Sequence, residues 1–169
     1  MNEIVTTRQG KVQGSRSDGV YVFKGIPYTT APFGAYRMLL PQSAEPWGGI
    51  RGAFAYGARP PPVPYPSRLD ALFPEMVASG EDCLDLNVWT TGLRAVGQPV
   101  MVWIAGGEFE HVTNADYDGS RFARDGVVGV SISYRVGADG FLCLGDGTAN
   151  CGPLCQDSCR IADGVMSAI

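Results

Sequence analysis

The most apolar run of the chain, PVMVWI at residues 99–104, is followed at once by Ala105, Gly106, Gly107, Glu108 and Phe109. Read from spacing alone, a glycine pair there is a tight turn after a strand, present for backbone freedom. Other reactive groups lie nearby. His111 is the sole histidine of the chain. A general base needs a nucleophile and an orienting acid within reach, so His111 reads as a wall or loop residue. Ser120 follows Asp118 and Gly119, while Ser131 and Ser133 lie along an apolar run. No G-x-S-x-G occurs, so no serine has the strand–turn–helix context that exposes a nucleophile. Cys143, Cys151, Cys155 and Cys159 crowd the last part of the sequence, three of them at i, i+4, i+8. That spacing puts three thiols on one helical face. Metal sites favour C-x2-C pairs, and Pro153 would disturb the first turn, so an incidental cluster is the better reading than a metal or iron–sulfur centre. No metal and no cofactor is expected.

The elements that must position these residues are those of an ordinary globular chain. With 169 residues, 45% hydrophobic and 18% charged, it can bury a core. A net charge of −4 without a basic run gives no footprint for nucleic acid or anionic lipid. Neither the N-terminus nor any later stretch approaches the roughly 18 apolar residues of a membrane span. The odd, uneven cysteine count argues against a disulfide framework and for a reducing cytoplasm.

Residues 4–7, 11–14 and 20–23 are β-prone pieces separated by turn residues, a pattern that predicts an antiparallel meander. From Gly25 to Ser67 the chain is rich in Pro, Gly and aromatic residues and reads as long ordered loop. A short helix is expected over 68–78, and a half-buried strand over 84–89. The continuous apolar runs at 99–104 and 127–132 predict strands buried on both faces. Residues 117–124 between them can form a crossover helix, with Asp118 as N-cap and Gly126 as its stop. Strand, helix and strand make a βαβ unit.

Six segments in fixed order carry a resemblance: FKGIPY at 23–28, PFGAYR at 32–37, EDCLDLNVW at 81–89, VMVWIAGG at 100–107, YDG at 117–119, and SYRVG at 133–137 followed by GFL at 140–142. In this register the chain resembles the type-B carboxylesterases. The resemblance implies an α/β class, the N-terminal part of an α/β-hydrolase fold in which an antiparallel β-meander leads into a mostly parallel sheet. It implies residues 1–150 as that domain portion, ending before the nucleophile elbow, which is expected beyond Ile169. The parent activity is cofactor-free hydrolysis of small-molecule carboxylic esters through an acyl-serine intermediate. The alternative is a non-catalytic hydrolase-like fragment that binds a partner or is a degraded gene product.

The resemblance also assigns residues. Gly106, Gly107 and Glu108 become the oxyanion loop, with the N–H groups of Gly107 and Glu108 as donors, and Phe109 and His111 become pocket-lining. Arg37 and Glu81 take the positions of a buried scaffold ion pair, against the alternative of two unrelated surface charges. Cys83 is expected as a buried free thiol. Two departures weaken the loop. Ala105 stands where a larger residue braces it, and Glu108 replaces a third glycine. If that position needs φ > 0, glutamate costs about 1–3 kcal/mol. A carboxylate about 4 Å from the oxyanion opposes it by about 4 kcal/mol at an effective dielectric near 20, and far less if it turns into water. Residues 151–169 leave the family pattern abruptly, as a frame-shifted, cysteine-rich tail would. Without the strand that leads to the nucleophile, strand 100–104 is expected to be exposed along one edge and prone to self-association.

Overall fold

The computed structural model describes residues 3–63, 80–93 and 97–142. The expected helix over 68–78, the cysteines after residue 142 and the divergent tail lie outside them. Strands β1 (Glu3–Thr6), β2 (Lys11–Ser17) and β3 (Val20–Pro27) form the antiparallel meander. Asp18 and Gly19, at φ +50° and +81°, join β2 to β3. Positive φ at both central residues is the two-residue hairpin turn whose twist matches that of its strands.

Within the long loop a 3₁₀ turn forms at Gly34–Tyr36, and a short strand the sequence pattern does not reveal, β4 (Ile50–Gly52), lies parallel to β2. Its cause is tertiary. The Trp47 Nε1–H donates to the Lys11 carbonyl at 2.9 Å, the Ala53 N–H to Gln13 at 2.8 Å, and the Lys24 N–H to Ala53 at 2.9 Å, so the meander itself holds the segment in register.

β5 (Asp85–Thr90), β6 (Val100–Ile104) and β7 (Val128–Ile132) complete the sheet, in the order β1-β2-β3-β5-β7-β6 with β4 on β2. β5 is antiparallel to both neighbours, and β6–β7 is the parallel pair of the main sheet. All six residues of β5 are buried, which corrects the half-buried expectation. The strand has β3 and β7 on its two edges and core on both faces. Leu86 and Val88 enter the larger apolar cluster, and Trp89 packs with Val20, Val22 and Ala123 in a smaller one. Fully burying such a side chain contributes about 1.5–3 kcal/mol.

Helix α1 (Ser120–Arg124) makes the crossover from β6 to β7, shorter than the pattern suggested. Asp118 accepts the Ser120 N–H at 2.8 Å from one place before the helix cap, and Gly126 closes the helix at φ +84°. α2 (Gly137–Phe141) follows β7. β7 is buried on both faces as expected, but β6 is not: Val100 is 48% exposed, and Trp103 and Ile104 are each 44% exposed. β6 is the last strand of the sheet and, among the described residues, has only β7 beside it. Its faces do not agree with full burial. Among the described residues no helix is long and apolar enough to cross a membrane.

Gly14, in the middle of β2, is where backbone and ring meet: a Cβ there would lie 2.5 Å from the Phe23 ring, and Phe23 is fully buried. Gly14→Ala is therefore expected to destabilise the protein by about 1–3 kcal/mol, as overpacking does. Gly48→Ala, where no heavy atom lies within 4 Å, should stay within about 0.5 kcal/mol of wild type. Paired urea denaturation curves check both.

Candidate functional site

The glycine loop leaves the end of β6 with its first residue pinned. Ala105 is buried, and its carbonyl accepts the Tyr134 hydroxyl proton at 2.6 Å. Tyr134 comes from just beyond β7, so the ends of the two parallel strands are tied together at the point where the loop begins. Burial first, and then Tyr117, raises the Tyr134 pKa, which keeps the phenol protonated as this bond requires. The brace expected from a large side chain at position 105 is supplied from the opposite strand.

The loop then folds on itself. The Gly107 carbonyl accepts the N–H of Glu110 and of His111, both at 3.0 Å, and the Phe109 carbonyl accepts the Gly137 N–H at 2.7 Å. The Phe109 ring rests on Phe141 with centroids 4.8 Å apart. Gly107 sits at φ +149°, and a Cβ there would meet the His111 carbonyl oxygen at 1.9 Å, so only glycine fits. Glu108 and Phe109 lie at φ +57° and +66°. Two successive non-glycine residues are thus left-handed, each costing about 1–2 kcal/mol. The strain expected of Glu108 is present, and Phe109 adds to it. Glu108 is exposed to solvent, the arrangement in which its charge acts least on the loop.

The N–H groups of Gly107 and Glu108 donate to no acceptor among the described residues. The loop therefore spends its carbonyls internally and presents adjacent main-chain donors outward, which is the chemistry an oxyanion needs. Gly106, exposed, carries the chain into the turn. His111 is half-buried, and its N–H belongs to the turn. The serines are structural. Ser131 accepts from Asn87 Nδ2 at 3.0 Å and Ser133 from Asn114 Nδ2 at 2.8 Å, both fully inside the sheet, and Ser120 opens α1.

The expected Arg37–Glu81 pair is not formed. Arg37 Nε donates instead to Asp139 at 2.8 Å, with the arginine side chain 62% exposed, and Glu81 is exposed. Arg37 caps the 3₁₀ turn, and its guanidinium is engaged by Asp139 of α2 rather than by the lead-in to β5. Cys83 is, as expected, buried and free; burial, then Asp85, pushes its thiol up to about 12.

A buried polar clip beneath the loop escaped sequence reasoning. Asn114 Nδ2 donates to Asp85 Oδ1 at 2.6 Å, to the Asp85 carbonyl at 3.3 Å and to Ser133. Asp85 Oδ2 has no hydrogen-bond partner among the described residues. Burial is the largest influence on this carboxyl and outweighs the Asn114 bond, Asp82 raises it further and Arg51 lowers it, for a pKa of about 7. The signal in the sequence was an aspartate inside the apolar stretch 84–89, read there as the polar side of a half-buried strand.

Comparison with known proteins decides the family. The model of the carboxylesterase family matches residues 1–153. The chain belongs to the carboxylesterase family. It is 42% identical over 147 residues to the para-nitrobenzyl esterase of Bacillus subtilis (strain 168), covering 85% of this chain and 29% of that protein. To the phenmedipham hydrolase of Pseudarthrobacter oxydans it is 40% identical over 154 residues, covering 85% and 30%. A solved PNB esterase superposes with a TM-score of 0.87 at 37% identity, covering 99% of this chain and 36% of that one. A Geobacillus stearothermophilus carboxylesterase gives 0.82 at 36%, covering 98% and 35%. The fold is the N-terminal part of a type-B carboxylesterase of the α/β-hydrolase class, and the chain spans about a third of the length of the relatives it matches.

The strain in this carboxylesterase loop and the charge in its clip can each be measured. Glu108→Gly, which relieves a left-handed glutamate, should raise stability by about 1 kcal/mol, whereas Gly107→Ala should lower it by several times that amount, as read by thermal unfolding. Asp85 is raised from 3.8 to about 7 in the folded state, so its favourable contribution is complete below about pH 4 and is lost as pH rises through about 7. Wild type should therefore lose up to about 4 kcal/mol across that window, and Asp85→Asn should flatten the dependence. Urea midpoints measured from pH 4 to about pH 8 compare the two.

Proposed function

We propose that this chain supplies the oxyanion-hole portion of a carboxylic ester hydrolase, with small-molecule carboxylic esters as the substrate class and an acyl-serine intermediate in the reaction. The observation that carries the reading is the left-handed turn at residues 107–109, at the C-terminal end of a parallel strand, whose Gly107 and Glu108 N–H groups meet no acceptor among the described residues. In acyl transfer such donors hold the carbonyl oxygen as it takes on charge. The nucleophilic serine, the histidine base and its orienting acid have no counterpart in the 169 residues, since there is no G-x-S-x-G and the single histidine is held in the loop itself. A cytoplasmic setting is supported by Cys83, a buried thiol with no disulfide partner among the described residues.

By itself, the chain is expected to hydrolyse para-nitrophenyl acetate no faster than a protein background. An intact oxyanion hole and binding site without the triad retains only about 10³–10⁴-fold over water. Saturable turnover abolished by His111→Ala would give the chain an active site of its own and end this reading. Mixed with the remaining two-thirds of the Bacillus subtilis para-nitrobenzyl esterase chain, which alone is expected to be inactive, it should restore saturable hydrolysis. Stable association without any turnover would instead favour a purely structural role for the loop.

A further inference from the structure

The Asp85 carboxyl is held on one side only. Oδ1 accepts from Asn114 at 2.6 Å, whereas Oδ2, equally buried, has no hydrogen-bond partner among the described residues. Oδ2 bears on the main chain of Gly57, where a Cβ would overlap it. Gly57 belongs to a short segment outside the sheet, residues 54–59, which is exposed or half-buried throughout. At its start this segment is anchored, because Ala53 donates to Gln13 at 2.8 Å and accepts from Lys24 at 2.9 Å. Where it crosses Asp85 the hold is slighter. The Ala58 N–H reaches the Asp82 carbonyl only at 3.3 Å, beyond the usual N–H···O range. Further on, the Val63 N–H donates to the Glu110 carbonyl at 3.0 Å, so the chain that leaves this segment is joined to the glycine turn.

We infer that Asp85 is a proton-operated latch on the 54–59 segment: protonated, it lets the segment lie shut over β5, and ionised, it turns the segment out while keeping its hold on Asn114. The two oxygens respond to ionisation in opposite ways. At Oδ1 the Asn114 bond becomes charge-assisted and roughly twice as strong. At Oδ2 a buried charge without a donor is costly, and the cost is relieved by admitting water. Water enters from the Gly57 side, because the other sides of Asp85 are closed by its pairing with Pro27 of β3 and by the Ser133 N–H, which donates to the Asp85 carbonyl at 3.0 Å. Two charges face the carboxyl. Asp82, on the lead-in to β5, opposes ionisation, and Arg51 of β4, itself paired with Asp82 at 2.9 Å, favours it. Cys83 stays a neutral thiol, on which the buried Arg135 beyond β7 also acts, and Asn114 and Ser133 carry no charge. Burial outweighs Arg51, so the shut carboxyl ionises at about 7 rather than at the ordinary 3.8. The shut form is therefore fully favoured below about pH 4, loses about tenfold per pH unit to the open form as pH rises, and levels off above about pH 7.

Amide exchange of the unaltered chain from about pH 4 to about pH 8, corrected for the intrinsic pH dependence of exchange, reads the latch residue by residue. Protection of the Ala58 N–H is expected to fall about tenfold per pH unit up to about pH 7, and to be insensitive to low concentrations of urea, since the opening exposes little surface. The Ser133 N–H should stay better protected than Ala58 at every pH and exchange with the urea dependence of global unfolding. Asp85→Asn, which leaves Asn114 an acceptor and cannot ionise, should make the Ala58 protection independent of pH. In Gly57→Ala the added methyl group should hold the segment out, so that Ala58 is as poorly protected at about pH 4 as in the unaltered chain at about pH 8. Protection of Ala58 that is flat with pH in the unaltered chain, or lost only together with Ser133 in the urea-dependent step, would overturn the proposal. So would a pH dependence that survives in Asp85→Asn, or exchange of the Asn114 side-chain amide that sets in at lower pH than that of Ala58.

Discussion

The hydrogen bond from the Tyr134 hydroxyl to the Ala105 carbonyl is the constraint on which the loop depends. It joins the ends of β6 and β7 at the level where one chain turns into the glycine loop and the other into α2. With Ala105 fixed, the turn at 107–109 can be left-handed without drifting, because its carbonyls are already engaged by Glu110, His111 and Gly137. Backbone strain of this kind persists only where the surroundings over-determine it. Four contacts do so here, namely the Tyr134 brace, the doubled bond at Gly107, the Gly137 bond and the Phe109–Phe141 ring pair.

Much of this was legible in the sequence because the determinants are local. The Asp18-Gly19 hairpin, the apolar strands at 100–104 and 128–132, the Gly126 helix stop and the glycine-only position at 107 each follow from residue types within a few positions. Glu108 was legible as a strained substitution only through the family resemblance, which puts a third glycine at its position. What the sequence hid depends on partners distant along the chain. β4 exists because Trp47 reaches Lys11, β5 is buried throughout because β3 and β7 flank it, and Arg37 chooses Asp139, 102 positions away. Asp85 is the sharpest case. Alternation around it looks the same whether the strand faces water or a second layer, and only the structure shows the carboxyl shut in with Asn114 and Ser133.

Placement of the two kinds of polar group follows one logic. Neutral groups are carried deep in the sheet, where Asn87, Asn114, Ser131 and Ser133 satisfy each other. Charged pairs such as Arg37–Asp139 and Arg51–Asp82 stay at the surface, where they add little to stability and are screened by salt. Asp85 and Arg135, both buried, break that separation, and Asp85 does so directly beneath the segment that leaves the glycine loop.

Cys83 gives the sheet a clock. Its sulfur is shut away at the entry to β5, and a thiol held near 12 carries almost no thiolate at neutral pH. Since the thiolate is the species that reacts, an alkylating reagent can reach this cysteine only when the central strand opens. The rate at which Cys83 is labelled in the otherwise native protein therefore measures how often the middle of the sheet comes apart.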